Sequence, residues 1–277
     1  MVTIITDSTA DLSPELIEKY NIGVVPLWVT LAEQTFKDDM TVTAPKLFAL
    51  VEQAGVLPKT AAPSVAEFSK AFELPGESVY LGISSCLSAS VANATSAAQA
   101  LGDGKVRVID SLTLSTGIGL LALKAADLRD QGCSADDIVR VMEASRSKVR
   151  MSFVIDTMKY LYMGGRCTAL QSIVGGLLKI RPVIYGRPDG TLGVKDKVRG
   201  TRKRALESML NDFQANLPDI DLQRVFVTHA ACPEDAAYLA ERLKDMAPIE
   251  ELLVTEAGAV VSTHCGPATI GILYMLQ

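Results

Sequence analysis

What this sequence has little of narrows the field first. Aromatic residues make up 5% of its 277 positions, against 48% hydrophobic overall. Leucine, isoleucine, valine and alanine must therefore fill most of the core. Histidine occurs only at His229 and His264, and the cysteines, Cys86, Cys133, Cys167, Cys232 and Cys265, form no CxxC pair. His229-x-x-Cys232 has no matching second pair, so a dedicated metal site is not expected. An odd set of unclustered thiols fits reduced cysteines in a cytoplasmic protein. The opening MVTIITDSTA has no basic segment and meets Asp7 early, so a secretory signal is not expected. Long apolar runs are also missing: Gly117 to Leu123 meets Lys124 well short of a membrane span, and no stable membrane insertion is expected. Positive charge is in deficit, with a net charge of −5, which argues against a nucleic-acid footprint over the whole molecule. Neither GxGxxG nor GxxxxGK is present, and GxSxG is absent too. Dinucleotide, nucleoside triphosphate and serine-elbow chemistry therefore lose their usual signals.

What is there, up to about residue 150, is a regular alternation of strands and helices. Val2 to Thr6 reads as a strand ending in Asp7-Ser8-Thr9, and Ser13-Pro14-Glu15 starts a helix reaching Tyr20. Gly23 to Leu31 reads as the next strand, and Thr43 opens a helix through Ala54. Ser64 and Glu67 have capping-box spacing, so a helix starts at Val65 with Thr60 in the loop before it. Val79 to Leu101 is the organising stretch: a buried strand, then Ser84 and Ser85, then a helix rich in alanine and serine. Val106 to Asp110 is a further strand, followed by helices over Thr113 to Asp130 and from Ser134 to about Val149. Such alternation predicts an α/β protein whose N-terminal sheet is mostly parallel, with helices on both faces. Ligands bind such sheets beyond the carboxyl ends of the strands, where helix N-termini favour anions. A serine at a helix start is often only a cap, but Ser8, Thr60, Ser84, Ser85 and Ser111 all fall at such ends or in neighbouring loops. Their convergence favours an anion site.

After Met151 the character changes, which places a boundary between domains 1–150 and 151–277. Phe153 to Ile155 reads as a strand, Met158 to Met163 and Thr168 to Leu178 as helices. Ile180 to Tyr185 and Thr191 to Val194 flank Pro188-Asp189-Gly190 as a hairpin, so the second sheet is mixed or antiparallel. Helices over Thr201 to Asn216 and Glu234 to Met246 alternate with strands over Arg224 to His229 and Glu251 to Thr255. The tail after Thr263 fits either state. Lys195, Lys197, Arg199, Arg202, Lys203 and Arg204 crowd a helix start, where positive charge opposes the dipole. They form either a solvated face or a docking patch for phosphate or an acidic protein. His264 lies in a glycine-proline turn, and Cys86 follows the two serines at the expected helix start, where a thiol pKa falls. Cys86 with His264 as base would make a stand-alone acyl-transfer or hydrolase enzyme, the alternative reading.

Taken in order, these motifs resemble the DegV family, fatty-acid-binding subunits of bacterial fatty acid kinase. The likeness rests on Asp7-Ser8-Thr9-Ala10-Asp11, Thr60-x-x-Pro63-Ser64, Ile83-Ser84-Ser85-x-Leu87-Ser88 and Val108-Ile109-Asp110-Ser111. Gly164-Gly165-Arg166, Lys197-Val198-Arg199-Gly200 and Thr263-His264-x-Gly266-Pro267 continue it through the second half. The resemblance implies two α/β domains with an acyl chain buried between helices and sheet. It implies that Thr60, Ser84, Ser85, Ser88 and His264 hold the carboxylate. It also implies that Arg166, Arg199 and Arg202 contact the partner or the phosphate. A separate ATP-dependent kinase would phosphorylate the carboxylate, and this chain would bind no nucleotide and do no catalysis alone. Two departures touch the headgroup: Ala61 stands where the family has a hydroxyl, and Ala89 where it has glycine. An acyl tail gains about 0.8 kcal/mol per buried methylene, so the tail should dominate affinity.

Overall fold

The structure, a computed structural model, describes residues 2–102, 104–169 and 180–277. The β-branched run TIITD forms β1 (Thr3–Asp7), buried from Ile4 onward. Successive side chains point to opposite faces, so Ile4 and Ile5 serve separate cores. β1 pairs in parallel with β2 (Ile22–Val25) on one side. The small antiparallel sheet that follows is built from β3 (Trp28–Leu31), β4 (Gln34–Lys37) and β5 (Lys59–Ala61). β6 (Ser78–Gly82) and β7 (Val106–Asp110) complete the first sheet, all parallel in the order β2-β1-β6-β7. The expected strand Gly23–Leu31 is split: Pro26, which has no N–H for a ladder, ends one sheet, and β3 belongs to another.

Helices α1 (Pro14–Lys19), α5 (Thr116–Asp130) and α6 (Ala135–Ser145) share the core on the Ile4 face. Helices α3 (Val65–Phe72) and α4 (Ser90–Leu101) cover the other face, and α2 (Ala44–Ala54) backs the small sheet. Side-chain oxygens of Ser13, Ser64 and Ser134 accept the third helical N–H of their helices, as their positions suggested.

The second sheet runs β10-β9-β8-β13-β11-β12. Its strands are β8 (Val149–Val154), β9 (Ile180–Gly186), β10 (Leu192–Arg199), β11 (Ile220–Ala230), β12 (Glu251–Glu256) and β13 (Thr269–Leu276). Among the described residues only β11 and β12 pair in parallel in this sheet, which is therefore mixed. The C-terminal segment from Thr263, open to either state in the sequence, is helical to Cys265 and a strand from Thr269. The hairpin forms with β10 extended through a bulge between Val194 and Asp196. Short α7 (Lys159–Met163) follows β8; of the helix expected over Thr168 to Leu178, residues 170–179 lie outside the described residues. α8 (Arg202–Asn216) and α9 (Pro233–Met246) cover one face of this sheet. Its other face meets α5, which is buried nearly all round. A helix apolar on every side belongs inside a protein, and α5 is the layer between the two sheets. The sheets divide near residue 149, while one core cluster runs from Val2 to Met275. The last helix, α10 (Ala259–Cys265), had no sequence signal and carries His264 in its final turn.

Candidate functional site

α10, β5, the loop after β6, and α7 enclose a cavity of about 280 Å³. Thr60 reaches it from β5, and its Oγ1 lies 2.8 Å from Nε2 of His264. Burial, reinforced by the charge of Arg166, pushes the His264 pKa down to about 4. The ring is thus neutral at pH 7 in the protein alone. His264 Nδ1 is buried with no partner among the described residues. Either tautomer leaves one donor unspent, the Nδ1–H or the Thr60 hydroxyl proton. The ring fits because residue 164 is glycine: a Cβ there would stand 2.5 Å from Nδ1.

The next two residues bring Arg166 round to the same end. Its Nε donates to the Leu87 carbonyl at 3.3 Å, and its Nη1 to the Gly164 carbonyl at 2.6 Å. Ser88 and Ala89 complete the polar end at the start of α4. Ser88 Oγ accepts the Ser90 N–H at 3.2 Å, and Ala89 offers no side-chain cap. A helix start of this kind presents N–H groups and partial positive charge to an anion. Beyond it the walls turn apolar, with Ile83, Leu114, Phe153, Leu161, Leu192 and Val260. A smaller apolar hollow of about 40 Å³ shares Leu114, Phe153, Val261 and Cys265 and reaches Leu273 between the sheets. The space thus has a polar end and an apolar end.

The structure brings Thr60, Ser88, Arg166 and His264 together and places the other named residues elsewhere. Helix α4 begins at Ser90, so Ser84 and Ser85 do not stand at its start. Ser84 is fully buried, and its hydroxyl donates to the Gly190 carbonyl in the hairpin turn at 2.8 Å. Ser85 is exposed, and its N–H donates to the Asp110 carboxylate at 3.2 Å. Ser64, the hydroxyl nearest in sequence to the missing one, is spent on a reciprocal capping box with Glu67. Cys86 is exposed, with its thiol on the Asp189 carbonyl at 3.4 Å. It does not line the cavity that His264 lines, so the pair needed for thiol acyl transfer is not assembled. Arg199 is exposed at the end of β10, while Arg202 turns inward. Its Nε binds Asp235 at 2.5 Å and its Nη2 donates to the Ala268 carbonyl at 2.6 Å. Among the described residues no cluster of histidine, cysteine or acidic side chains could hold a metal ion.

Sequence reasoning missed the carboxylates that hold this frame. Asp7 accepts from Tyr80 Oη at 2.8 Å and from the Ile83 N–H at 3.1 Å, tying β1 to β6. Asp11 and Asp38 accept the Gly258 and Ala259 N–H groups at 2.8 and 2.7 Å, and so cap α10. Burial raises all three pKa values, that of Asp38 to about 6. The dense acids of DSTAD were the available signal, but their partners lie up to 247 residues away.

Two stacked α/β sheets with a one-ended polar cavity between helices define a class of small-ligand-binding α/β proteins. Within it, the sequence matches the model of uncharacterised proteins of the DegV family over residues 1–277, and the chain belongs to that family. A DegV domain-containing protein of Deinococcus radiodurans is 34% identical over 276 residues, covering 98% of this chain and 97% of that one. A solved DegV family protein from Thermus thermophilus, described as fatty acid binding, superposes with a TM-score of 0.92 at 31% identity. The match covers 100% of this chain and 99% of that one. The Fak (fatty acid kinase) B3 protein of Streptococcus pneumoniae, solved loaded with linoleic acid, gives 0.87 at 26% identity over the full length of both.

Proposed function

We propose that this protein binds one long-chain fatty acid and presents its carboxylate to a separate ATP-dependent fatty acid kinase in the cytoplasm. The observation that carries the reading is a cavity polar at Thr60, Ser88, Arg166 and His264 and apolar beyond them. A carboxylate set there takes charge-assisted hydrogen bonds from the Thr60 hydroxyl, with His264 Nε2–H donating to its oxygen, from the Ser88 hydroxyl and from the first N–H groups of α4. Its charge also faces Arg166. The tail runs along Ile83, Phe153 and Leu161 toward the hollow between the sheets, where burial of methylenes supplies most of the affinity. The fatty acid ligands of the Thermus and Streptococcus relatives support the same reading. Ser84 and Ser85 drop out of the headgroup set and act through the loop that carries Leu87 and Ser88. Arg166 and Arg199 remain as contacts for the kinase; Arg202 does not. Reconstitution tests this directly. The loaded protein, a fatty acid kinase and ATP should together yield an acyl phosphate, and neither protein alone should. Acyl phosphate formation by the kinase on free fatty acid at the same rate would remove the presenting role.

A further inference from the structure

A second cavity, of about 470 Å³, opens between the start of β8, the strands β9 and β10 and the end of α8. Its lining gathers Arg146, Arg150, Arg187 and Lys195 against a single carboxylate, Asp212. Asp212 is already paired with Lys195. Arg146 donates to the Asp110 carbonyl at 3.0 Å, and Arg150 to the Ser147 and Val149 carbonyls at 2.9 and 3.1 Å. Peptide carbonyls orient a guanidinium without cancelling its charge. Arg187 has no ion pair within 4 Å among the described residues; nearby Asp189 accepts the N–H and hydroxyl of Thr191, and its carboxylate feels the Arg187 charge only at longer range.

The seat of Arg187 is built into the strand opposite. A Cβ at Gly193 would stand 2.9 Å from Arg187 Nε and 2.5 Å from the Tyr185 ring. Tyr185, Tyr274 and Met151 give the same cleft an apolar and aromatic wall. Gathering like charges in a concave site is unfavourable until an anion sits among them. In a chain with net charge −5, this concentration is not a general property of the surface. Guanidinium forks match phosphate oxygens in geometry as well as charge. The volume exceeds what a bare phosphate fills and lies within the usual small-molecule range.

We propose that this cleft binds a small organic phosphate, with the phosphoryl group held by Arg146, Arg150 and Arg187 and the body lying on Tyr185. The site is separate from the acyl cavity and does not depend on what that cavity holds.

Isothermal titration of the full chain with phenyl phosphate and with inorganic phosphate tests it. Phenyl phosphate should bind saturably, one per chain, and more tightly than inorganic phosphate because of its ring. Arg150→Ala and Arg187→Ala should each weaken it about tenfold or more, the loss of a charged hydrogen bond. Arg187→Lys should lose less, and Arg140→Ala, exposed on α6 and paired with Asp137, should lose nothing. Unchanged melting temperatures would show that the variants are folded. Absence of saturable binding overturns the proposal, as does equal binding by the double variant Arg150→Ala/Arg187→Ala. Arginine-dependent binding to phosphatidylglycerol vesicles with none to phenyl phosphate would also overturn it, in favour of a membrane surface.

Discussion

At the scale of single residues, the hydroxyls divide by role. Thr60 and Ser88 border the cavity, where each would give a charged headgroup a donor worth about 1.5–3 kcal/mol. Thr60→Ala combined with Ser88→Ala should weaken fatty acid binding by at least tenfold and also lower the melting temperature, because His264 Nε2 loses its partner. Ser84→Ala should affect stability alone. It leaves the buried Gly190 carbonyl without this donor, which costs about 1–3 kcal/mol of stability and leaves lipid affinity unchanged. Titration with a fatty acid and thermal denaturation of both variants separate the two roles.

His264 and Asp38 pull stability in opposite directions with pH. The histidine pKa is lowered from 6.5 to about 4, so the stability it contributes is present above pH 6.5 and lost as pH falls toward 4. The Asp38 pKa is raised from 3.8 to about 6, so its contribution is present at low pH and lost as pH rises through 6. Each shift amounts to about 3 kcal/mol, and the two nearly cancel between pH 4 and 6.5. Relative to the unsubstituted protein, His264→Gln should lose about that much stability as pH rises over this range, and Asp38→Asn should gain it. Urea unfolding at pH 4.5 and pH 7 reads both differences. Parallel curves for all three proteins would contradict the account.

At the scale of elements, whatever is decided locally was legible in the sequence. Ser13, Ser64, Ser134 and Thr201 each bond within their own first turn, and each marked its helix start. The hairpin turn at Pro188-Asp189-Gly190 was legible for the same reason. What distant partners decide was not. Helix α10 is short, with Val260 and Val261 in its middle and its N-terminus held by Asp11 and Asp38, so no periodicity betrays it. Ser84 looked like part of an anion site at a helix start because its real partner, Gly190, is 106 residues on. The candidate site was half legible: Thr60, Ser88, Arg166 and His264 meet, while the apolar wall from Phe153, Leu161 and Val260 had no mark beyond hydrophobicity. The basic run was misleading as a unit. Arg202 joins α8 to α9 and to the start of β13, and Lys195 is paired to Asp212. Arg202→Glu should therefore lower the melting temperature by loss of a partly buried pair. Arg199→Glu should leave stability and bound lipid intact and slow acyl phosphate formation with the kinase. That second effect should shrink as salt rises, since exposed charges are screened over about 10 Å at 0.1 M. Equal phosphorylation of the Arg199 variant at low salt would reduce this arginine to a solvated charge.

At the scale of the whole molecule, the sheets divide near residue 149 but the core does not. α5 serves both sheets, and the cavity takes walls from β5 and the β6 loop on one side and from β8, α7 and α10 on the other. A ligand lying there stiffens the contact between the halves, so bound lipid should also stabilise the fold by mass action. The central claim is the fatty acid itself, and native mass spectrometry of gently purified protein tests it most directly. The account predicts a species heavier than the chain by one long-chain fatty acid, lost on denaturation and depleted in the Thr60→Ala/Ser88→Ala protein. A bare chain mass that stays bare after incubation with fatty acids from palmitate to oleate would contradict it.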